Sequence, residues 1–115
     1  MNILPLPKSW LIHDIEYKEL LPDKDNYGNL QYKDSITIKN VRFEDETVFS
    51  RDSTNKKVLA NAIIFIDSTN SISSPNRFIE ESKIYFRNRE YTIKKVAALD
   101  YPTKNEIHHW ELEVI

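Results

Sequence analysis

Residues 82–96, SKIYFRNREYTIKKV, and the final run 107–115, IHHWELEVI, decide the fold. In the first stretch Ile84 and Phe86 alternate with Lys83, Tyr85 and Arg87. Arg87-Asn88-Arg89-Glu90 then interrupts with polar residues, and Tyr91 and Ile93 resume the alternation. Two short alternating runs around a polar turn predict a β-hairpin. Asn88 is the expected turn residue, because asparagine tolerates positive φ better than any residue there except glycine. In the final run His108, Trp110, Leu112 and Val114 share one face of a strand; Ile107, His109, Glu111, Glu113 and Ile115 share the other. The apolar face needs a sheet to lie on, and the hairpin is the nearest one. The chain therefore reads as a small β domain closed by its own C-terminal strand.

Working outward, Val58–Asp67 (VLANAIIFID) is nearly all apolar and β-branched toward its end. It is expected to be the most buried strand, covered on both faces. Ile36–Phe43 predicts another strand. Ile36 and Ile38 have one parity and Val41 and Phe43 the other, so the phase slips at Lys39-Asn40, where a β-bulge is expected. Trp10–Leu20 alternates, with Leu11, His13, Ile15 and Tyr17 on the inner side. Tyr27-Gly28-Asn29 reads as the tip of a long hairpin, with Leu30 and Tyr32 returning. Glu44–Lys57 is polar except for Val48 and Phe49. It is either an exposed excursion with an apolar tip or a strand pair extended beyond the sheet. Ser68–Ser74 reads as a flexible loop and Ala97–Asn105 as a loop turning at Pro102. Pro75–Glu81 predicts one or two helical turns, with Ser74 as N-cap and Phe78 and Ile79 inward. The sum is a mainly β chain: a small antiparallel β-barrel or sandwich of about six strands with one short helix, in one domain spanning residues 1–115. Residues 1–9 form an extended arm, because Pro5 and Pro7 disfavour helix; it lies on a neighbouring subunit or hangs as a loose terminus.

Composition narrows the function classes. With 115 residues and 40% hydrophobic content the chain builds one modest core, without room for a deep cleft plus a second domain. The formal charge of −2 gives no general attraction to nucleic acid or membrane. There is no cysteine, so disulfides and thiolate metal sites are excluded. The one glycine, Gly28, leaves no phosphate-cradling loop and no nucleophile elbow. The N-terminal run has two prolines and no long apolar stretch, so neither a signal peptide nor a membrane span is expected.

No catalytic constellation emerges. His108 and His109 are adjacent and should point to opposite sheet faces, which argues against a shared metal ion. His13 falls in line with Leu11 and Ile15, at the edge of the core. The acid pairs Asp14/Glu16 and Glu111/Glu113 alternate with apolar residues, as on a solvated sheet face. No catalytic residue, metal or cofactor is assigned. Arg87, Arg89, Lys94 and Lys95, with Tyr85 and Tyr91 interleaved, are the candidate nucleic-acid-facing residues. The competing reading is a charged hairpin edge that resists aggregation.

The runs VFSRDSTNKKVLANAIIFIDSTNS, SKIYFRNREYTIKKV and NEIHHWELEVI resemble the small minor capsid protein family of tailed phages of Gram-positive bacteria. The family's strand pattern is similar to that of head-closure proteins. The resemblance implies a structural protein of the virion at the head–tail junction, assembled in the host bacterial cytoplasm. It implies self-association into a ring, contact with adaptor or portal and tail proteins, non-specific contact with packaged DNA, and no membrane. Its implied interface residues are Val48, Phe49, Arg51, Lys56, Lys57, Ser68, Asn70 and Ile72, on the two long polar connections. A tail-completion (terminator) protein and a single-stranded nucleic-acid-binding β-barrel are the alternatives.

Overall fold

The computed structural model describes residues 4–50 and 57–115. Six antiparallel strands close into a barrel: β1 (His13–Lys18), β2 (Ile36–Phe49), β3 (Val58–Asp67), β4 (Lys83–Phe86), β5 (Arg89–Asp100) and β6 (Ile107–Val114). The order around the barrel is β1-β2-β3-β6-β5-β4, with β4 returning to β1. Closure gives each of the six strands two partners, which removes the sticky edges of an open sheet.

The alternation in the sequence sets which side chains face in. On β6, His108, Trp110, Leu112 and Val114 are all buried. Leu112 and Val114 join Ile15, Ile38, Val41, Ile64, Ile66, Ile84 and Ile93 in an aliphatic middle layer. Aromatic groups seal both ends. Phe43 stacks on Phe86 at 4.2 Å and leans on Tyr91 at 5.1 Å at the end where β4 turns into β5. At the other end Phe78 meets Tyr17 and Trp110 edge-on at 5.1 and 5.4 Å. Such ring pairs add to the area term that dominates small cores.

The turn and the bulge fall where the sequence places them. Arg87 and Asn88 both take positive φ, 50° and 64°, the geometry of a two-residue hairpin turn matched to strand twist. Asn40 sits at φ 59°; His13 pairs with Val41 and Ile15 with Ile38, so β2 carries one extra residue there. Gly28 caps its loop at φ 78°. The Asp25 carboxylate accepts from Tyr27 N and Asn29 N, and Leu20 bridges to Tyr32, so this excursion is a hairpin as expected.

Five expectations are corrected. No helix forms among the described residues, and Pro75–Glu81 is irregular. Its backbone is drawn into tertiary bonds instead: Ile79 N donates to the Tyr17 hydroxyl and Glu81 N to Ile93 O. Phe78 does point inward, as expected, and Ser74 Oγ turns to its neighbour's carbonyl rather than capping. β3 is not covered on both faces; it alternates, with Ile63 and Phe65 half-exposed on the outside. Ala97–Asp100 continues β5 against β6, and only then does the chain turn. Ser68–Ser74 is heavily bonded rather than loose, because buried Asp67 organises it. One Asp67 oxygen accepts from Thr69 N and Asn70 N, the other from Leu6 N. Finally, from Leu4 onward the N-terminal arm lies on its own barrel. Leu6 is clamped between Asp67 and Asn70, and Trp10 covers Phe65 edge-on at 4.9 Å beneath Arg42.

Candidate functional site

One part of the barrel escapes closure. β1 pairs with β2 only as far as Val41, and β6 pairs with β3 only from Ala62. Beyond those points β2 and β3 have only each other as strand partners among the described residues, and they project as a two-stranded ribbon. Between the two sequence readings of Glu44–Lys57, the extended strand pair is the one observed up to Phe49. Two offsets shape it. Asp45 pairs with Ala62 and Val48 with Ala60, so β2 has one extra residue; Phe49 pairs with Val58, so β3 then has one extra. Compensating bulges restore the register while sharpening the twist. The ribbon thereby bends over the outer face of β5 and β6.

Under that overhang lies an open groove of about 640 Å³, lined by Val48, Phe49, Leu59, Lys94, Lys95 and Glu113. It continues along Glu46, Ile63, Ala97, Leu99 and Glu111. Phe49, Val58 and Leu59 are 51%, 44% and 47% exposed, so three large apolar side chains crowd one small projection. Single exposed apolar residues are ordinary; here three of them cluster on one protruding ribbon. Ribbon edges add unpaired backbone N–H and C=O groups, a ready template for another strand.

The sequence candidates divide accordingly. Val48 and Phe49 lie on the ribbon and line the groove. Lys57 is exposed where the ribbon closes, its N–H reaching Ser50 Oγ and its carbonyl accepting from Ser50 N. Arg51 and Lys56 lie outside the described residues. Ser68 and Asn70 are at the opposite end and spend their side chains internally, Ser68 Oγ on His108 O and Asn70 Nδ2 on Leu6 O. Ile72, 51% exposed, faces outward while its backbone pairs with Lys39. Leu59, Ile63 and Leu99 were missed by sequence reasoning. Their signal, apolar residues in phase with the outer rather than the inner face, is visible only once the barrel register is known.

The basic candidates do not form one patch. Arg87 and Arg89 crown the β4–β5 turn, stacked over Phe86 at 4.9 Å and Tyr91 at 5.5 Å. Lys94 is the bulged residue of β5 and turns to the Glu81 carboxylate at 3.1 Å. Lys95 faces Glu113 at 3.7 Å on the groove floor. Tyr85 donates its hydroxyl to Glu90, and that bond to a carboxylate holds the phenol's pKa above its ordinary value. Of these four, Arg87 and Arg89 are the exposed pair without a carboxylate partner among the described residues, whereas Lys94 and Lys95 each face one.

The histidines behave unexpectedly. His13 Nδ1 accepts from Phe43 N and so closes the gap left by the β2 bulge. Burial, then the Arg87 and Arg42 charges, hold its pKa below the ordinary value against the opposing pull of Asp14. His108 and His109 do not diverge: their Nδ1 atoms lie 2.7 Å apart. They sit opposite the irregular step between Leu99 and Asp100 of β5, where the ladder departs from regular pleating. No group of three or more His, Cys, Asp or Glu among the described residues is placed to hold a metal ion.

A family model described as "Minor capsid protein" matches residues 7–114. The "Uncharacterized protein ORF5" of Lactococcus phage LL-H is 24% identical over 116 residues, covering 97% of this chain and 98% of that protein. No solved structure matches significantly.

Proposed function

The chain belongs to the minor capsid protein family, a family of phage structural proteins, and from that premise we propose that it works at the head–tail junction as a subunit of a closure or connector ring. In this reading the barrel is a rigid block and the β2–β3 ribbon is its joint. The observation that carries the proposal is the projecting ribbon with Phe49, Val58 and Leu59 exposed over a groove. A ribbon from one copy that seats against a different surface of the next makes a head-to-tail contact, and such contacts close into rings when the rotation allows. Val48, Phe49 and Lys57 contribute to that seat, with Arg51 and Lys56 on the same connection. Ser68, Asn70 and Ile72 sit at the other end of the barrel, on the side offered to an adaptor, portal or tail protein.

Arg87 and Arg89 are the residues proposed to touch packaged DNA. Two fixed cations per subunit, repeated around a ring, give a sequence-independent and salt-sensitive attraction to phosphate. Lys94 and Lys95, each facing a carboxylate, drop to a minor role.

The test is genetic. A phage or prophage lacking this protein should accumulate heads that leak DNA or carry no tail. Infectious particles in normal yield from the same mutant would end the proposal.

A further inference from the structure

A titratable side chain stands in for a strand partner beside the β2 bulge. β1 pairs with β2 only as far as Val41, and beyond it Phe43 N donates to His13 Nδ1 at 3.0 Å. The neutral imidazole with a bare Nδ1 accepts this bond. The imidazolium ion carries hydrogen on both nitrogens and cannot. The bond therefore exists in one protonation state alone.

The same imidazole leans on the turn that carries the exposed cations. His13 lies edge-on to Phe86 at 5.1 Å, and the Arg87 guanidinium covers that same ring at 4.9 Å. The ring of Phe43, whose N–H His13 holds, stacks on Phe86 at 4.2 Å. Asp14, next to His13 on β1, and Arg87 line one open hollow of about 490 Å³. One phenylalanine thus stands between a group that can take a proton and a fixed positive charge. Burial, then Arg87, then Arg42 hold the imidazole below its ordinary pKa, and Asp14 pulls the other way. A phosphate on Arg87 cancels part of that cation's field. Equilibrium coupling between two bound species is reciprocal.

We propose that His13 and Arg87 form one linked site, in which a nucleic-acid phosphate on the β4–β5 turn and a proton on His13 each favour the other. The proposal rests on the reading that Arg87 and Arg89 meet packaged DNA. Two consequences follow from the linkage. DNA binding takes up a proton in the range where His13 titrates, and the grip on DNA tightens as pH falls through that range. The proton also releases Phe43 N, so contact at the turn is felt at the β2 bulge.

The charged and titratable groups around His13 single out Arg87. On β1, Asp14 accepts from Asn40 N, and Glu16 follows on the same face. On β2, Arg42 lies over Trp10 and is already offset by Glu44 at 3.4 Å. On β4, Tyr85 donates to Glu90. On β5, Arg89 covers Tyr91, whose ring meets Phe43. Of the two cations that act on His13, Arg87 is the one without a carboxylate among the described residues, so an incoming phosphate changes its field most.

The ring-proton shifts of His13 in NMR follow its titration directly. A short oligothymidylate added at low salt, with binding read at the Asn88 and Arg89 amides, should raise the His13 midpoint by about 0.3 pH units, the size of a Coulombic coupling in water-like surroundings. Arg87→Gln should raise the midpoint in the free protein and abolish the further rise with DNA. Wild-type affinity should grow about twofold as pH falls through the titration. His13→Asn, which keeps an acceptor for Phe43 N, should lose that growth. DNA that reaches the turn but leaves the His13 midpoint in place would overturn the linkage and leave the DNA reading standing. Asn88 and Arg89 amides that do not respond at low salt would overturn both. A midpoint unmoved by Arg87→Gln in the free protein would overturn the linkage on its own.

Discussion

Asp67 is the buried carboxylate that ties two separate segments to the barrel. Its buried carboxylate accepts three backbone N–H groups, from the arm and from the loop after β3. Asp67→Ala leaves those donors without an acceptor, at about 1–3 kcal/mol for each that water does not reach. A loss of about 3 kcal/mol in urea unfolding is expected, and a change below about 1 kcal/mol would show that the arm and loop stand without it. His13 sets a pH dependence. Its folded pKa lies below the ordinary 6.5, so the folded protein binds this proton less readily than the unfolded chain. Its contribution is therefore full above pH 6.5 and is lost as pH falls from there through the folded value. Wild-type protein should lose stability between pH 7 and pH 5 faster than His13→Asn, which can still accept from Phe43 N without titrating. Parallel curves would remove His13 from the account.

At the scale of elements, legibility followed how local the cause was. The β4–β5 turn was readable because a two-residue turn has one geometry and Asn is one of few residues that fit it. The β2 bulge was readable because inward parity must reverse where one residue is inserted. The inner face of β6 was readable from alternation alone. The predicted helix failed for the opposite reason: Ser74-Pro75 is a good local start, but Tyr17 and Ile93 compete for the backbone from across the barrel. The groove was illegible because its two sides come from strands brought together only by closure and by the twist of the bulged ribbon. The His108–His109 contact was hidden by the alternation rule itself, which the irregular β5 ladder breaks. The turn offers a direct check. Asn88→Gly should stabilise by about 0.5 kcal/mol and Asn88→Val should destabilise by about 1–2 kcal/mol, since a β-branched residue resists positive φ. Equal thermal midpoints for the two variants would contradict the turn assignment.

At the scale of the molecule, closure leaves the barrel strands without open edges, and the ribbon is the described part that escapes it. Its exposed apolar residues contribute little to the fold of the isolated chain. Phe49→Ser with Leu59→Ser should leave the unfolding midpoint nearly unchanged, within about 0.5 kcal/mol for surface positions, yet abolish assembly into particles. A double variant that unfolds would mean the ribbon belongs to the core; one that assembles normally would mean that the joint lies elsewhere. The most direct measurement is electron cryomicroscopy of the particles that contain this protein. The account predicts a ring of barrels at the neck between head and tail, each ribbon seated on its neighbour and the Arg87-Asn88-Arg89 turn toward the DNA channel. Barrels found singly on the capsid shell, or a neck ring built from other proteins alone, would contradict it.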